Sequence, residues 1–326
     1  MKAMVIAAGA AGNELQWQDV PDPVPGPGEL LVAVKAVGMN RADLGLRAGH
    51  YERMPTKPPA PIAGLEAAGE VIGAGPGVTG FKPGDRVMGM PSGAYARKTL
   101  LHSRVALRVP NDFSWIEAAA VPVAFLTAHD ALVTNGALQR GESVLVQGAT
   151  SGVGIAAVQI AKFLGAGCIY GTGSRDKLEQ LKGFGMDAGI DYKSEDFSAV
   201  VMKHSNDQGV DVVLDMVGAS AFAGHMTCLA LKGRLVQIGR MGGLKTEIDL
   251  DLLSKKRIRL IGVTFRTRNV EEFGALVDAM ARDLMPAIES RRLRMPVDRS
   301  FPLEQARAAQ DYMRSNALFG KVVLTT

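Results

Sequence analysis

The residues whose types and spacing could do chemistry are most concentrated at Gly148-Ala-Thr-Ser151-Gly152-Val153-Gly154-Ile-Ala-Ala157. An apolar run, Val144-Leu145-Val146, leads into them, and an apolar, helix-forming run from Ile155 to Leu164 follows and stops at Gly165. Gly152-x-Gly154-x-x-Ala157 fits the pattern in which one glycine makes a tight turn, the next lets the backbone approach a pyrophosphate, and a small third residue lets helix and strand pack closely. Ser151, Gly152, Val153 and Gly154 would then present backbone N–H groups to phosphate oxygens at the positive end of the helix dipole. The competing explanation is an ordinary glycine-rich turn, since the chain holds 38 glycines. The flanking strand and helix favour the dinucleotide site.

A second signal stands where the next strand ends. A site preferring NADH carries an acid about 20 residues past the glycines, bound to the ribose 2′-hydroxyl. Here the stretch reads Gly171-Thr-Gly-Ser174-Arg175-Asp176-Lys177. A hydroxyl and two cations suit a 2′-phosphate, and therefore NADPH. Asp176 stands as a displaced acid that would favour NADH instead, and Ser174 also fits the cap of the helix opening at Arg175.

These residues need elements to position them. A chain of 326 residues exceeds one ordinary hydrophobic core, which predicts two domains. Residues 1–110 are strand-rich and broken by proline and glycine, with strands expected at Met1–Ala8, Leu30–Val37, Glu66–Gly73 and Asp85–Met90, a small β-barrel-like domain. Ser114-Trp-Ile-Glu117 has the spacing of a capping box, opening a helical run through Phe125, Ala128 and Leu132 to Asn135-Gly136. From residue 143 strands alternate with helices, at 143–147, 168–172, 188–191, 210–214, 234–238 and 258–263, the pattern of a doubly wound parallel sheet. The last two strands, Val297–Phe301 and Lys321–Leu324, show no crossover pattern of their own and are expected to rejoin the N-terminal β domain.

Bulk properties exclude several classes. Hydrophobic content of 47% and charged content of 21% describe a globular chain, and a formal charge of +4 is no nucleic-acid footprint. Basic clusters at Lys255-Lys256-Arg257-Ile-Arg259 and Arg291-Arg292-Leu-Arg294 read as solvated rims. No apolar run is expected to reach the ~18–20 residues of a membrane span. The N-terminus reads as a strand and not a secretory signal, and two unpaired cysteines fit a reducing, cytoplasmic compartment.

Gly28-Glu-Leu-Leu-Val, Ala63-Gly-Leu-Glu66-Ala-Ala-Gly-Glu-Val, Phe81-Lys-Pro-Gly-Asp-Arg-Val87 and Val146-Gln-Gly-Ala-Thr-Ser-Gly-Val-Gly154 together resemble the medium-chain dehydrogenase/reductase superfamily. They are most similar to its zinc-free quinone oxidoreductase (zeta-crystallin-like) branch, and the similarity extends to Gly320-Lys-Val-Val-Leu324. The resemblance implies an α/β chain in which a Rossmann domain, residues 123–266, is inserted into a GroES-like β-barrel catalytic domain, residues 1–122 and 267–326. It also implies a homodimer formed by the nucleotide-binding domains. Zinc-bearing relatives carry cysteine near the place of Asn40 and histidine at the place of Leu65. With those ligands missing, and only two cysteines in the chain, no zinc is expected.

Without a Lewis acid, reduction of an acceptor that is already electrophilic is the expected chemistry. The resemblance puts Asn40 and Tyr51 beside nicotinamide and acceptor, in a cleft between the domains. Asn40 would donate a hydrogen bond to the acceptor oxygen or the cofactor ribose; Tyr51 would orient the ring or supply a proton. It also carries over Thr127, Lys177, Tyr192, Gly239 and Phe265 as cofactor contacts. His50, Met54 and Met90 are weaker candidates for the acceptor pocket. The expected activity is NADPH-dependent reduction of a quinone. Reduction of α,β-unsaturated aldehydes, ketones or enoyl thioesters, and a non-catalytic crystallin-like NADPH-binding role, remain as alternatives.

Overall fold

A computed structural model describes residues 1–9, 12–47 and 61–326 of the chain. They form two compact units, Met1–Leu126 with Phe265–Thr326, and Thr127–Thr264. Of the residues singled out above, His50, Tyr51 and Met54 lie outside the described residues.

The first unit opens with an antiparallel hairpin of β1 (Lys2–Gly9) and β2 (Gly12–Asp19), in continuous register from Lys2–Asp19 to Gly9–Gly12. The second of these strands is polar at Asn13, Glu14, Gln16 and Gln18, which hides it from a hydropathy reading; Leu15 is buried and Trp17 packs against the core. β3 (Glu29–Gly38) alternates as a half-buried strand should, with Leu30, Val32, Val34 and Ala36 inward. Then come α1 (Arg41–Arg47), β4 (Ala67–Ala74), β5 (Arg86–Gly89), β6 (Lys98–His102) and β7 (Leu107–Arg108).

The capping box forms as expected. Ser114 Oγ accepts from Glu117 N, and Glu117 Oε2 accepts from Ser114 N, at the start of α2 (Trp115–Ala119). The helical run is then split, because Pro122, which has no N–H to donate, opens a separate α3 (Pro122–His129). A π turn over Asp130–Asn135 carries the run to its stop at Gly136. The stretch Trp115–Asn135 is thus long and apolar enough to cross a membrane by length and composition, contrary to expectation. Most of it is buried inside the protein, so core packing accounts for its apolar character.

The second unit is a six-stranded parallel sheet with intervening helices: β8 (Ser143–Val146), α4 (Gly152–Leu164), β9 (Cys168–Gly173), α5 (Arg175–Lys182), β10 (Ala188–Asp191), α6 (Phe197–His204), β11 (Val210–Asp215), α7 (Ala219–Cys228), β12 (Leu229–Gln237), α8 (Leu250–Lys256) and β13 (Arg259–Gly262). Its order is β10-β9-β8-β11-β12-β13. The strand order therefore reverses between β8 and β11, and ligands of such sheets bind at the carboxyl ends of the strands on either side of that reversal. All six expected strands form. β12 starts earlier than expected because Leu229 already pairs with Val210; positive φ at Lys232 and a register shift interrupt the pattern that a sequence reading would follow.

The chain returns to the first unit with α9 (Val270–Glu289), β14 (Val297–Pro302), α10 (Ala306–Arg314) and β15 (Lys321–Thr325). These last strands rejoin the β sheet as expected, in the order β14-β15-β3-β4-β5-β7, with β6 also on β3. The expectation that they lack a crossover is corrected: β14 and β15 run parallel, which requires a crossover, and α10 supplies it. Ala306, Ala309 and Met313 give α10 a buried stripe at helical spacing, and β15 then pairs antiparallel with β3.

The glycine turn is held by contact between backbones. A Cβ on Gly154 would lie 2.5 Å from Gly148 O and 2.6 Å from Ala149 C, and backbone atoms cannot rotate away. Gly154→Ala should lower the unfolding free energy of the second unit by about 1–3 kcal/mol, read from chemical denaturation.

Candidate functional site

In the second unit the elements present a row of loops at the carboxyl end of the sheet. Ser151 caps α4, its Oγ accepting from Gly154 N at 3.1 Å, and it also lies 3.7 Å from the Met216 sulfur. Gly148 adopts φ +63°, a left-handed conformation that glycine takes without strain, and its N–H donates to Thr172 Oγ1. Thr172 Oγ1 donates in turn to Gln147 Oε1 at 2.7 Å, so side chains from the ends of two neighbouring strands fix the glycine turn. The first turn of α4, half-buried at Ser151, Gly152 and Val153 and buried at Gly154, has the geometry to hold a phosphate against its N–H groups. These residues fit a dinucleotide.

Ser174, Arg175 and Tyr192 come together at the ends of β9 and β10, where Gly173 pairs with Asp191. Ser174 occupies the N-cap position of α5, yet its side chain makes no capping bond, which separates it from the simple helix-cap reading. Arg175 is exposed, with Nε 3.8 Å from Asp191 Oδ2. Tyr192 is 59% exposed, so it is not a ring packed on the sheet. Lys177 lies in the same first turn of α5.

Beyond the strand reversal, buried Asp215 ends β11. Its carboxylate accepts from Val217 N at 2.7 Å and Gly218 N at 3.0 Å and so shapes the following turn. Burial pushes this carboxyl up to about 6, against the pull of those N–H bonds. Gly239 packs on the same turn, where a Cβ would lie 2.5 Å from Met216 O. Gly239 is therefore required by packing as well as being a contact candidate. Thr127 is buried in α3, and Phe265 stacks on Phe273 with ring centroids 5.2 Å apart in the first unit.

In the first unit the sheet brings Asn40, Glu66 and Lys321 together, and the sequence reading had missed the lysine. Lys321 Nζ donates to Glu66 Oε2 at 2.5 Å and to Asn40 Oδ1 at 2.7 Å. Asn40 Nδ2 donates to Glu66 Oε2 at 3.0 Å and to Gly38 O at 3.3 Å, while Glu66 Oε1 accepts from Val123 N at 2.6 Å. Both amide hydrogens of Asn40 are therefore committed to protein. Asn40 itself is partly exposed, and its Oδ1 keeps a second lone pair beyond the one that Lys321 engages. Gly38 is forced by the crowding, because a Cβ there would sit 2.3 Å from Glu66 Oε2 and 2.1 Å from Ala119 O.

Asp43 lies beneath this group, 1% exposed. Its Oδ2 accepts from Asn40 N at 2.8 Å and from Tyr95 OH at 3.0 Å. Among the described residues its Oδ1 has no hydrogen-bond partner. Burial pushes the carboxyl up to about 7; the Asn40 and Tyr95 bonds and Lys321 pull the other way, and Glu66 adds to the rise.

Two family models match the chain: "Alcohol dehydrogenase GroES-like domain" over residues 26–111 and "Zinc-binding dehydrogenase" over residues 152–282. The human synaptic vesicle membrane protein VAT-1 homolog is 33% identical over 327 residues, covering 95% of this chain and 82% of its own length. The quinone oxidoreductase of Lama guanicoe is 30% identical over 328 residues, covering 99% and 97%. Among solved structures, a mycobacterial protein complexed with NADPH superposes with a TM-score of 0.89 at 31% identity, covering 100% of both chains. The second family description implies a metal, and the residues do not fit one. No three His, Cys, Asp or Glu side chains gather among the described residues, and both oxygens of Glu66 are already taken by Lys321, Asn40 and Val123.

Asp43 makes stability depend on pH. Its folded value lies above the ordinary 3.8, so its contribution is full below about 4 and is lost as pH rises through 7. Asp43→Asn removes this titration. The stability of the wild type should fall between about pH 4 and 7 relative to that variant, by an amount on the order of a few kcal/mol in denaturation curves across that range.

Proposed function

The chain belongs to the medium-chain dehydrogenase/reductase superfamily, and from that premise we propose that it is an NADPH-dependent, zinc-independent reductase of quinones. The observation that carries the cofactor assignment is the backbone-held glycine turn at the strand reversal, with Ser174, Arg175 and Tyr192 exposed or half-exposed beside it. Ser151, Gly152, Val153 and Gly154 hold the pyrophosphate. Arg175, Lys177 and Ser174 take the 2′-phosphate, with Tyr192 against the adenosine; Thr127, Gly239 and Phe265 complete the cofactor contacts. The quinone assignment is supported by a quinone oxidoreductase relative of the same length.

Bound NADPH would supply the hydride, and an electrophilic acceptor needs no metal to receive it. The chain's own contribution is positioning. Asn40 offers Oδ1 to a hydroxyl or amide N–H of the ligand. Tyr51, outside the described residues, is assigned to the acceptor by the resemblance of its sequence context alone. Zinc is absent from the proposal because Lys321 already balances the Glu66 carboxylate.

We also propose a homodimer built on β13. Among the described residues it is the edge of its sheet, paired with β12 alone, and an open edge invites another strand. Leu260 on β13 and Leu231 on the neighbouring β12 are exposed apolar residues, as are Met241, Leu244, Ile248 and Leu250 in the chain between those strands. Leu260→Asp with Leu244→Asp should shift the sedimentation coefficient to that of a monomer.

The function is tested by titrating NADPH and NADH and then measuring cofactor oxidation against quinones, enals and enones. Arg175→Ala with Lys177→Ala should weaken NADPH by about 10–100-fold, consistent with losing charge-assisted bonds, and NADH far less. An equal loss for both cofactors removes the 2′-phosphate assignment. Turnover with enones alone replaces the quinone reading, and no turnover with any acceptor favours a non-catalytic NADPH-binding protein.

A further inference from the structure

We infer that the buried pair Lys321–Glu66 is a positioning device that sets the polarity of Asn40, so that this site recognises a hydrogen-bond donor on the ligand and not a carbonyl oxygen. This rests on the reading of Asn40 as a ligand contact. An asparagine amide presents a donor end and an acceptor end of nearly the same shape, and a half-turn about its last bond exchanges them. Here the exchange is blocked from two sides. An ammonium group only donates, so the atom 2.7 Å from Lys321 Nζ must be oxygen. An ionised carboxylate only accepts, so the atom 3.0 Å from Glu66 Oε2 must be nitrogen. Gly38 O accepts from the same nitrogen at 3.3 Å.

The pair holds because it is buried and anchored. Lys321 and Glu66 side chains are 4% and 0% exposed, and Glu66 Oε1 is held by Val123 N at the start of α3. Reversing the amide would place its oxygen against the carboxylate and its N–H groups against the ammonium, in surroundings that screen neither. The cofactor groups that match the exposed lone pair are a ribose hydroxyl or the carboxamide N–H. A quinone or enone oxygen matches neither and must be met by another residue.

Lys321→Met alone would leave an unbalanced buried carboxylate and Glu66→Gln alone an unbalanced buried ammonium, so the informative comparison is the wild type against Lys321→Met/Glu66→Gln, which removes both charges together. In the wild type both partners dictate the amide; in the double variant neither charged partner remains. NADPH affinity, followed by cofactor fluorescence, is expected to be about tenfold weaker in the double variant than in the wild type, the loss of one oriented hydrogen bond. Adding Asn40→Leu to both should abolish that difference, a non-additivity that a merely structural lysine would not produce. Should the methionine-bearing pair not fold, Lys321→Gln/Glu66→Gln keeps side-chain volume and hydrogen bonding and serves the same comparison. Equal affinities, or a tenfold difference that survives Asn40→Leu, overturns the positioning role of Lys321. Wild-type affinity in Asn40→Leu alone instead overturns the reading of Asn40 as a contact.

Discussion

The first unit depends on one electrostatic constraint, the carboxylate of Glu66 with no exposure to water. A buried charge persists only when paired and hydrogen-bonded, and Glu66 meets this condition through Lys321, the Asn40 amide and the Val123 N–H. Those partners come from β15, from the end of β3, and from the first turn of α3. Satisfying a single carboxylate therefore ties together three segments distant in the chain. It also leaves no room for a side chain at Gly38.

The second unit depends on a steric constraint of the same strictness. Around the glycine turn, added Cβ atoms would collide at Gly154 with backbone, at Gly171 with Ala149 and Met186, and at Gly173 with Thr150 and Leu178. Backbone at such close quarters brings helix N–H groups to the carboxyl end of the sheet, where an anionic ligand gains most from them. In the first unit charge selects the residues; in the second, volume does.

Much of this was legible in the chain. The glycine spacing, the Ser114–Glu117 box and all six strands of the parallel sheet have local causes, namely turn chemistry, capping and apolar runs, and they form where those causes predict. The errors also have causes. β2 is polar on the side its packing does not use, so its partner β1 and not its composition makes it a strand. The apolar stretch Trp115–Asn135 reaches the length and hydropathy of a membrane span because burial inside the protein, and not a bilayer, selects its apolar residues. The parallel pairing of β14 and β15 has no local signal, because it is fixed by the antiparallel pairing of β15 with the distant β3.

What the sequence by itself determined is whatever depends on neighbours along the chain: the turn, the caps, the alternation of strand and helix, and the loss of histidine and cysteine at the places of Leu65 and Asn40. Only the tertiary structure decided which polar groups surround the Asn40 amide, that burial raises the Asp43 carboxyl to about 7, and that Lys321 stands beside Glu66. The physical reason is that hydrogen-bond polarity and desolvation are set by atoms a few ångströms away in space. Here those atoms lie 255 and 281 residues away in sequence, joined only when β15 pairs with β3.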